Sequence, residues 1–125
     1  MALLGYGIDV VDVTRFERVW RRFGDRLLER LFSVAEREYC LKRPSPAAHL
    51  AARFGAKEAF IKAMGTRTGF RWRDIEVASE GSGRPYFIFH ARAIEGVEKK
   101  GIAKAFLSLA HDANVSIAGV ILESR

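Results

Sequence analysis

The chain lacks most of the features that mark exported or membrane proteins. Its 125 residues contain one cysteine, Cys40, which excludes an internal disulfide and is typical of a protein in a reducing compartment. No basic segment followed by a long apolar one stands at the N-terminus, so we expect no signal peptide. No apolar stretch approaches the ~20 residues that a membrane helix requires. These absences predict a cytoplasmic protein without a membrane span.

Acidic residues are scarce relative to basic ones. Asp and Glu number 15 against 21 Lys and Arg, which gives a formal net charge of +6 at pH 7. Such an excess indicates an anionic partner, and composition alone fits a nucleic acid, an anionic membrane, an acidic protein or a phosphate-rich ligand equally. Hydrophobic residues make up 49% of the sequence. This content predicts a globular fold, and the length fits a single domain over residues 1–125.

Hydrophobic periodicity predicts a strand followed by helices in the first half of the chain. Residues 3–11 are apolar and β-like, and the next apolar residues recur at helical spacing, with Gly24 marking a break between two helices. The apolar stripe consists of Val13, Phe16, Trp20, Phe23 and Leu27. Ser33 and Glu36 form a capping-box pattern, so a further helix should start there and stop before Pro44.

A long helix dominates the middle of the chain, and strands dominate its end. Ser45 and Pro46 favour a helix start, and Gly65 is placed as the stop of a helix that ends at about Met64. We predict a strand over residues 70–78, a turn over 80–85, a strand over 86–89, a helix over 91–100, and strands over 103–110 and 115–122 joined by residues 111–114. This order predicts an α+β fold in which a mostly antiparallel sheet packs against the long helix.

The long helix carries a carboxylate and an ammonium group one turn apart. Glu58 and Lys62 share one face of this helix. Their neighbours on that face, Ala51 and Gly55, have almost no side chain, so a bulky ligand could approach closely. Pairs at this spacing are also common on solvated helices, where each contributes only ~0.3–0.5 kcal/mol. Gly55 favours the ligand interpretation, because glycine inside a helix costs ~1 kcal/mol relative to alanine and often serves close packing or access.

A second carboxylate, Asp9, lies inside the predicted first strand, where Asp is depleted. Capping the following helix is an alternative role, but Asp12 suits that role better because the apolar helical period begins at Val13. Asp9 is then left without a structural role. If Asp9 and Glu58 converge, their oxygens suit Mg²⁺, which keeps several waters and takes further ligands from substrate phosphates. Spacing alone does not establish that convergence.

The face of the first helix opposite the apolar stripe is rich in arginine: Arg15, Arg18, Arg22 and Arg26, with Arg21 nearby. A solvated surface normally mixes charges of both signs, yet Glu17 is the only acidic residue between Thr14 and Gly24. The pattern therefore indicates an anionic partner, either an acidic protein helix or a nucleic acid backbone.

Four segments of the chain match one known family in their order and spacing. They are residues 7–11 (GIDVV) with the start of the helix after them, 30–40 (RLFSVAEREYC), 53–66 (RFGAKEAFIKAMGT) and 83–85 (GRP). On these motifs the chain resembles the holo-[acyl-carrier-protein] synthases, the small trimeric group of 4′-phosphopantetheinyl transferases. The likeness extends over nearly the whole chain, and the motif at 53–66 is the most specific of the four.

The resemblance implies a transferase of fatty acid biosynthesis. Such an enzyme moves the 4′-phosphopantetheine arm of coenzyme A onto a serine of acyl carrier protein and releases adenosine 3′,5′-bisphosphate. The resemblance implies Mg²⁺ as cofactor, with Asp9 and Glu58 as its ligands, and Lys62 beside the pyrophosphate. Asp9, Glu58 and Lys62 are thus the catalytic candidates. It also implies a homotrimer with the active site between subunits, and we expect neither a nucleic acid nor a membrane as partner.

Further positions match the parts of the family that bind the two substrates. The residues matched to docking of the acidic carrier protein are Arg15, Arg18, Arg21 and Arg22. The residues matched to coenzyme A binding are Arg53, Lys57, Gly83, Arg84, Pro85 and His111. The sequence departs from the family pattern at Arg67, where a glycine is frequent, at Ala110, where a serine is common, and at Asn114, where an aromatic residue is frequent.

Two other classes of function remain open from the residues alone. A basic α+β domain with Trp20, Phe23 and Trp72 beside a run of arginines is also typical of a nucleic-acid-binding module, whose binding would depend steeply on salt. An inactive homologue that only binds coenzyme A or a partner is the other alternative. The two carboxylates and the lysine described above argue against both, because neither class requires them.

Overall fold

The computed structural model describes residues 1–65 and 69–125, which contain five strands, five α-helices and one 3₁₀ helix. The strands are β1 (Leu3–Asp12), β2 (Ile75–Ser79), β3 (Pro85–Phe89), β4 (Ile102–Asp112) and β5 (Val115–Ser124). The helices are α1 (Val13–Phe23), α2 (Asp25–Leu31), α3 (Val34–Leu41), α4 (Pro46–Met64), α5 (Arg92–Lys100) and the 3₁₀ helix (Trp72–Asp74). None of the helices in this part of the chain is long and apolar enough to cross a bilayer.

Two antiparallel sheets make up the β structure, so the predicted α+β fold is confirmed. β1, β5 and β4 form a three-stranded sheet in that order, and β2 pairs with β3. One face of the three-stranded sheet packs on α4, and the other face carries large exposed apolar side chains. These side chains are Tyr6, Ile8, Val10, Phe106, Ile117 and Ile121. We call this surface the open sheet face; patches of this kind usually mark an interaction site.

Helix α4 packs very close to β1 because two glycines remove the side chains between them. A Cβ atom added at Gly7 would lie 2.0 Å from the carbonyl oxygen of Ala59. One added at Gly5 would lie 1.9 Å from the carbonyl oxygen of Ala63. Any larger residue would push the helix away from the strand. The close approach sets the middle of β1, including Asp9, against the middle of α4.

Two hydrophobic clusters flank α4. The first lies between α4 and the sheets and contains Phe60, whose ring centroid is 4.9 Å from that of Phe89. The second lies between α4 and the first three helices and includes Phe16, Phe32 and Leu50. Burial of apolar surface contributes ~25 cal/mol per Å², so these clusters provide the main stabilisation. Because α4 belongs to both clusters, it connects the sheet layer with the helical layer.

The helix starts follow the predicted local signals at α1 and α3. The Asp12 side chain accepts a hydrogen bond of 3.0 Å from the amide of Arg15, which caps α1. At α3 the Ser33 hydroxyl accepts from the amide of Glu36, and the Glu36 carboxylate accepts from the amide of Ser33. The capping box predicted from the sequence is therefore present.

The glycines at helix ends also act as predicted, but two details differ. Gly24 separates α1 from α2, and Gly65 ends α4 in the left-handed conformation with φ +79°. The break at Gly24 places Arg26 on α2, so Arg26 does not continue the arginine face of α1. Ser45 precedes α4, but its side chain makes no capping hydrogen bond. Pro46 at the first turn remains as the start signal.

The strand predicted over residues 70–78 was wrong at its beginning. β2 starts at Ile75, after the 3₁₀ helix. The Asp74 side chain accepts a hydrogen bond of 3.0 Å from the amide of Arg71, which closes this short helical turn. Local hydrogen bonding by an Asp side chain competes with strand formation, and here it prevails.

The last two strands are longer than predicted and their connection is shorter. His111 lies within β4, opposite Ser116 of β5, rather than in the connection. The turn itself consists of Ala113 and Asn114, both with positive φ. Two positive φ values are required by the hairpin turn that matches strand twist, and Asn adopts them readily. The Asn114 side chain also donates a hydrogen bond to the hydroxyl of Thr14.

Candidate active site

Asp9, Glu58 and Lys62 meet at one open cavity, although they come from distant parts of the sequence. The cavity has a volume of about 560 Å³ and is bordered by residues of β1, α1, α2 and α4. Arg15 and Arg30 also line it. The structure therefore brings together the three residues that the sequence analysis selected as catalytic candidates.

Lys62 forms an ion pair with Asp9 at this cavity. Its Nζ donates hydrogen bonds to Oδ1 of Asp9 at 2.8 Å and to the carbonyl oxygen of Ile8 at 3.1 Å. The hydrogen bond to Asp9 raises the pKa of Lys62, and the negative charge of Glu58 acts in the same direction. Lys62 thus stays a cation at neutral pH, which suits it to bind phosphate oxygens rather than to release a proton.

The strand geometry explains why Asp9 faces α4. Alternate residues of β1 point towards the helix, and Asp9 belongs to the same set as Gly7 and Val11. Gly55 lies opposite this set: a Cβ added there would be 3.2 Å from a methyl group of Val11 and 3.8 Å from Oδ2 of Asp9. Gly55 therefore serves the close packing of β1 on α4, and it leaves room for the Asp9 carboxylate.

The cavity offers hard oxygen ligands for a cation. Within residues 1–65 and 69–125, no group of three or more His, Cys, Asp or Glu side chains could hold a metal ion. Asp9 and Glu58 are thus a pair of carboxylates on an open cavity. Such a pair fits an ion that completes its coordination with water and phosphate oxygens, as Mg²⁺ does. It does not fit a closed structural zinc site, which needs four protein ligands.

The arginines predicted to dock an acidic partner lie on the exposed side of α1. Arg15 reaches the cavity, and Arg18 and Arg22 are exposed farther along the helix. Arg21 pairs with Glu17 at 3.7 Å, but its side chain is 77% exposed, so this pair contributes little stability. The arrangement leaves a positively charged surface next to the cavity entrance.

Arg53 lies at a second place, against the ring of Tyr39, and His111 lies close enough to the neighbouring His49 to affect its pKa. The guanidinium groups of Arg53 and Arg43 lie 4.2 Å and 3.9 Å from the ring centroid of Tyr39. Arg53 is only 4% exposed, and its Nε has no hydrogen-bond partner in the described part of the chain. Burial lowers the pKa of His49, and the charges of Arg53, Arg43 and His111 lower it further. This concentration of positive charge suits an anion.

Arg84 and Pro85 lie at a third place, beside the open sheet face. They line a cavity of about 490 Å³ together with Tyr6 and Phe106. Gly83 precedes them with φ +92°, a conformation that favours glycine. A single chain therefore does not bring all of the predicted coenzyme A residues to one place.

The prediction that Lys57 binds coenzyme A is wrong for this structure. Its side chain is 0% exposed, and its Nζ donates hydrogen bonds to Oε1 of Glu36 at 2.6 Å and to the carbonyl oxygen of Trp72 at 3.0 Å. Burial lowers the pKa of Lys57, and the charge and hydrogen bond of Glu36 oppose that effect. Successive helical residues point about 100° apart, so Lys57 faces the interior while its neighbour Glu58 faces the cavity.

The cavity also has an aromatic wall that was not predicted from the sequence. We use this name for the rings of Phe54 and Trp72, whose centroids lie 5.2 Å apart. The one sequence signal was a tryptophan between Arg71 and Arg73, which is an unusual position for a large apolar ring. Arg67, where the sequence departs from the family pattern, lies outside the described residues.

Comparison with protein families and curated sequences identifies relatives along nearly the whole chain. A model of the 4′-phosphopantetheinyl transferase superfamily matches residues 5–117. The chain is 44% identical over 123 residues to a holo-[acyl-carrier-protein] synthase of Geobacter metallireducens, covering 97% of this chain and 98% of that protein. It is 46% identical over 124 residues to a protein of the same description from Trichlorobacter lovleyi, with 98% of each covered.

Solved structures share this fold over nearly the whole chain. The crystal structure of a holo-[acyl-carrier-protein] synthase from Neisseria meningitidis superimposes with a TM-score of 0.92 at 30% identity, covering 98% of this chain and 100% of that one. The Helicobacter pylori protein of the same description, in complex with coenzyme A, gives a TM-score of 0.83 at 28% identity, covering 94% of this chain and 99% of that one.

Proposed function

The chain belongs to the 4′-phosphopantetheinyl transferase superfamily, and on this premise we propose that it transfers the 4′-phosphopantetheine arm of coenzyme A to a serine of apo-acyl carrier protein. The observation that carries the proposal is the convergence of Asp9, Glu58 and Lys62 on one cavity. Relatives that match the full length are described as holo-[acyl-carrier-protein] synthases, and one was crystallised with coenzyme A. The proposed role of this transfer is in fatty acid biosynthesis, where acyl carrier protein is the acceptor.

The reaction forms one bond and breaks one. The serine hydroxyl oxygen attacks the phosphorus that carries the pantetheine arm, and the bond from that phosphorus to the adenosine 5′-phosphate oxygen breaks. Adenosine 3′,5′-bisphosphate leaves with the electron pair. Serine is a poor nucleophile until a base takes its proton, and in this proposal Glu58 takes it, directly or through a water molecule. Lys62, held as a cation by Asp9, stabilises the negative charge of the leaving phosphate.

Asp9 and Glu58 are the residues that would hold Mg²⁺. Their two carboxylates on an open cavity fit an ion that shares its coordination with phosphate oxygens. When bound, Mg²⁺ neutralises charge on the pyrophosphate. Asp9 also orients Lys62 through their 2.8 Å hydrogen bond, so this carboxylate would have two roles, as a ligand of Mg²⁺ and as the partner of the Lys62 ammonium group.

The acidic carrier protein docks on the arginine surface of α1. Arg15 lies at the cavity itself, and Arg18 and Arg22 extend the positive surface away from it. Opposite charges on two partners increase the association rate and fix the orientation more than they increase final affinity. The surface would thus direct the serine of the carrier towards Glu58.

The active site is shared between subunits of a homotrimer. Two observations support this part of the proposal. The open sheet face leaves Tyr6 66% and Val10 62% exposed, which is unfavourable unless another chain covers them. Arg84 lies beside this face, away from the cavity of Glu58, so a neighbouring subunit seated there could receive the turn that contains Arg84.

Residues 1–125 act as one transferase domain in the cytoplasm. The sharing of α4 by both hydrophobic clusters supports one folding unit. The only cysteine, Cys40, is fully buried, and burial raises its pKa to about 11. A thiol in that state is unreactive. A chain with one cysteine forms no internal disulfide, which agrees with a reducing compartment.

Release of the leaving group tests the proposal. The purified protein is mixed with coenzyme A, Mg²⁺ and apo-acyl carrier protein, and adenosine 3′,5′-bisphosphate is measured by ion-exchange chromatography. We expect one bisphosphate per carrier, and none when the acceptor serine is replaced by alanine. Release that does not depend on the carrier would indicate hydrolysis of coenzyme A instead of transfer.

A further inference from the structure

A fully buried ion pair lies directly behind the aromatic wall of the cavity. The side chains of Lys57 and Glu36 are both 0% exposed, with 2.6 Å between Nζ and Oε1. An apolar pair of similar volume often stabilises a fold as well as a buried ion pair does, or better. Stability alone therefore gives no reason for charges at this place, and the other hydrogen bonds of the pair indicate a second role.

Those hydrogen bonds tie together four elements of the backbone. The Glu36 carboxylate accepts from the amide of Ser33 at 3.0 Å through Oε1, and from the amide of Val77 at 2.9 Å through Oε2. The Lys57 ammonium group donates to the carbonyl oxygen of Trp72 at 3.0 Å. The pair thus joins the start of α3, the strand β2, the active-site helix α4 and the 3₁₀ helix.

Trp72 is the member of this network that lines the cavity. Its ring lies 5.2 Å from that of Phe54 and borders the same cavity as Asp9 and Glu58. A 3₁₀ helix of three residues has little stability of its own, so the position of the ring depends on what holds the backbone. Lys57 holds the carbonyl of Trp72 itself, and Lys57 adjoins Glu58 in the chain.

The chemistry of the transferred arm indicates what this ring would contact. In coenzyme A the carbon that bears two methyl groups is bonded to the CH₂ group that carries the phosphate ester. A ligand that places its phosphate at Asp9, Glu58 and Lys62 therefore brings these two methyl groups close to the phosphate site. The aromatic wall is an apolar surface on that site.

We propose that Lys57, together with Glu36, is a positioning residue that fixes Trp72 as the wall against which the dimethyl segment of the 4′-phosphopantetheine arm packs. This inference rests on the proposed function, because it takes coenzyme A as the substrate. Lys57 does not touch the substrate; it acts through the backbone of Trp72. The buried charges thus serve the specificity of the site.

The first experiment tests the wall. Coenzyme A is compared with an analogue in which both methyl groups are replaced by hydrogen, with apo-acyl carrier protein as acceptor. The native chain should prefer coenzyme A by about tenfold or more in kcat/KM, since a single methylene in an apolar pocket changes this ratio by roughly 10–200-fold. Trp72→Ala should lower the preference to near onefold, and Trp72→Phe should keep most of it. If the native chain shows no preference in kcat/KM between the two substrates, or if Trp72→Ala leaves the preference unchanged, Trp72 does not contact the dimethyl segment.

The second experiment tests Lys57 through a double variant. Lys57→Met combined with Glu36→Gln removes both buried charges, and the single amide oxygen of Gln keeps one of the two backbone acceptor positions of Glu36. The chain should therefore fold with reduced stability, which thermal unfolding measures, and Glu36→Gln alone is the control for the lost backbone hydrogen bond. The preference of the double variant for coenzyme A should fall as in Trp72→Ala, and adding Trp72→Ala should cause no further loss. The single variant Lys57→Arg, which keeps a donor for the carbonyl of Trp72, should keep part of the preference for coenzyme A over the analogue. A full native preference in the folded double variant, or losses that simply add, would overturn the positioning role.

A third measurement does not depend on catalysis. Trp20→Phe leaves Trp72 as the only tryptophan, so its emission and its quenching by acrylamide report the position of the wall. We expect Lys57→Met with Glu36→Gln in this background to shift emission to longer wavelength and to increase quenching. Unchanged fluorescence would contradict the inference. If even the native chain modifies no carrier, the proposed function has failed, and this readout still decides whether Lys57 positions Trp72.

Discussion

At the scale of single residues, Glu58 is the side chain on which the proposed chemistry depends most. Glu58→Gln keeps its size and removes its basicity, so we expect kcat to fall by about 10²–10⁴-fold. Glu58 is only partly buried and lines an open cavity, so thermal unfolding should change little. Glu98→Gln on the exposed side of α5 is the matched control and should leave both unchanged. Near-native kcat in Glu58→Gln would remove Glu58 from the mechanism.

His49 gives a prediction about stability and pH. Burial, followed by the charge of Arg53, lowers its pKa below the ordinary value of 6.5. In the unfolded chain His49 takes up a proton near pH 6.5, whereas in the folded chain it does so only at lower pH. Acidification below pH 6.5 therefore favours the unfolded chain and lowers the free energy of unfolding. Urea unfolding at pH 7.5 and 5.5 should show a smaller acid loss for His49→Gln than for the native chain. His90→Gln controls for loss of any histidine; an equal effect there would contradict the assignment.

The residues of the site differ in how visible they are in the sequence. Asp9 and Glu58 could be selected because each is unusual for its local position, one inside a strand and the other on a helix face cleared of bulky groups. Lys57 was misassigned because a motif match does not distinguish neighbours that point about 100° apart on a helix. Trp72 was missed because it belongs to a three-residue 3₁₀ helix, which has no periodic pattern.

At the scale of elements, α1 is the docking surface in our proposal, and charge reversal tests it. Arg18→Glu or Arg22→Glu should raise KM for the carrier protein several-fold while KM for coenzyme A changes little, because only the carrier meets the outer part of α1. The effect should weaken at high salt, since exposed charges are screened. Lys99→Glu on α5 makes the same change in net charge away from α1. Equal changes in both KM values, or the same effect from Lys99→Glu, would contradict docking on α1.

The elements themselves were predictable where short-range chemistry decides them. The capping box at Ser33 and the left-handed Gly65 set helix ends by local hydrogen bonds and backbone freedom, and both were read from the sequence. The two strands of the final hairpin were also predicted, but the start of β2 and the short length of the hairpin turn were not, because individual side chains set them. Asp74 closes a 3₁₀ turn, and Asn114 adopts a left-handed conformation. A glycine at position 114 would have made this turn easier to predict from the sequence.

At the scale of the whole molecule, a shared active site predicts that two inactive variants restore each other. Glu58→Gln and Arg84→Ala subunits are each expected to be poorly active. In mixed trimers, some sites would combine Glu58 of one subunit with Arg84 of its neighbour and be complete. Activity of the mixture should therefore exceed that of either variant alone, with mixed oligomers verified by native mass spectrometry.

The control for this experiment pairs two defects within one cavity. Glu58 and Lys62 line the same cavity of the same chain, so a mixture of Glu58→Gln and Lys62→Ala subunits contains no complete site. It should not recover activity. Recovery in this control, or no recovery with Arg84→Ala in verified mixed trimers, would contradict the shared site. The periodicity of one chain does not predict the proposed trimer; the family resemblance, the open sheet face and the position of Arg84 away from Glu58 support it.

Modification of a carrier protein by this chain is tested by the intact mass of an apo-acyl carrier protein after incubation with this protein, coenzyme A and Mg²⁺. We expect a gain of one 4′-phosphopantetheine arm on the acceptor serine, abolished by EDTA and strongly reduced in Asp9→Ala. A carrier mass that stays unchanged, for several different apo-carriers and with folded protein, would contradict transfer of the arm as the function of this chain.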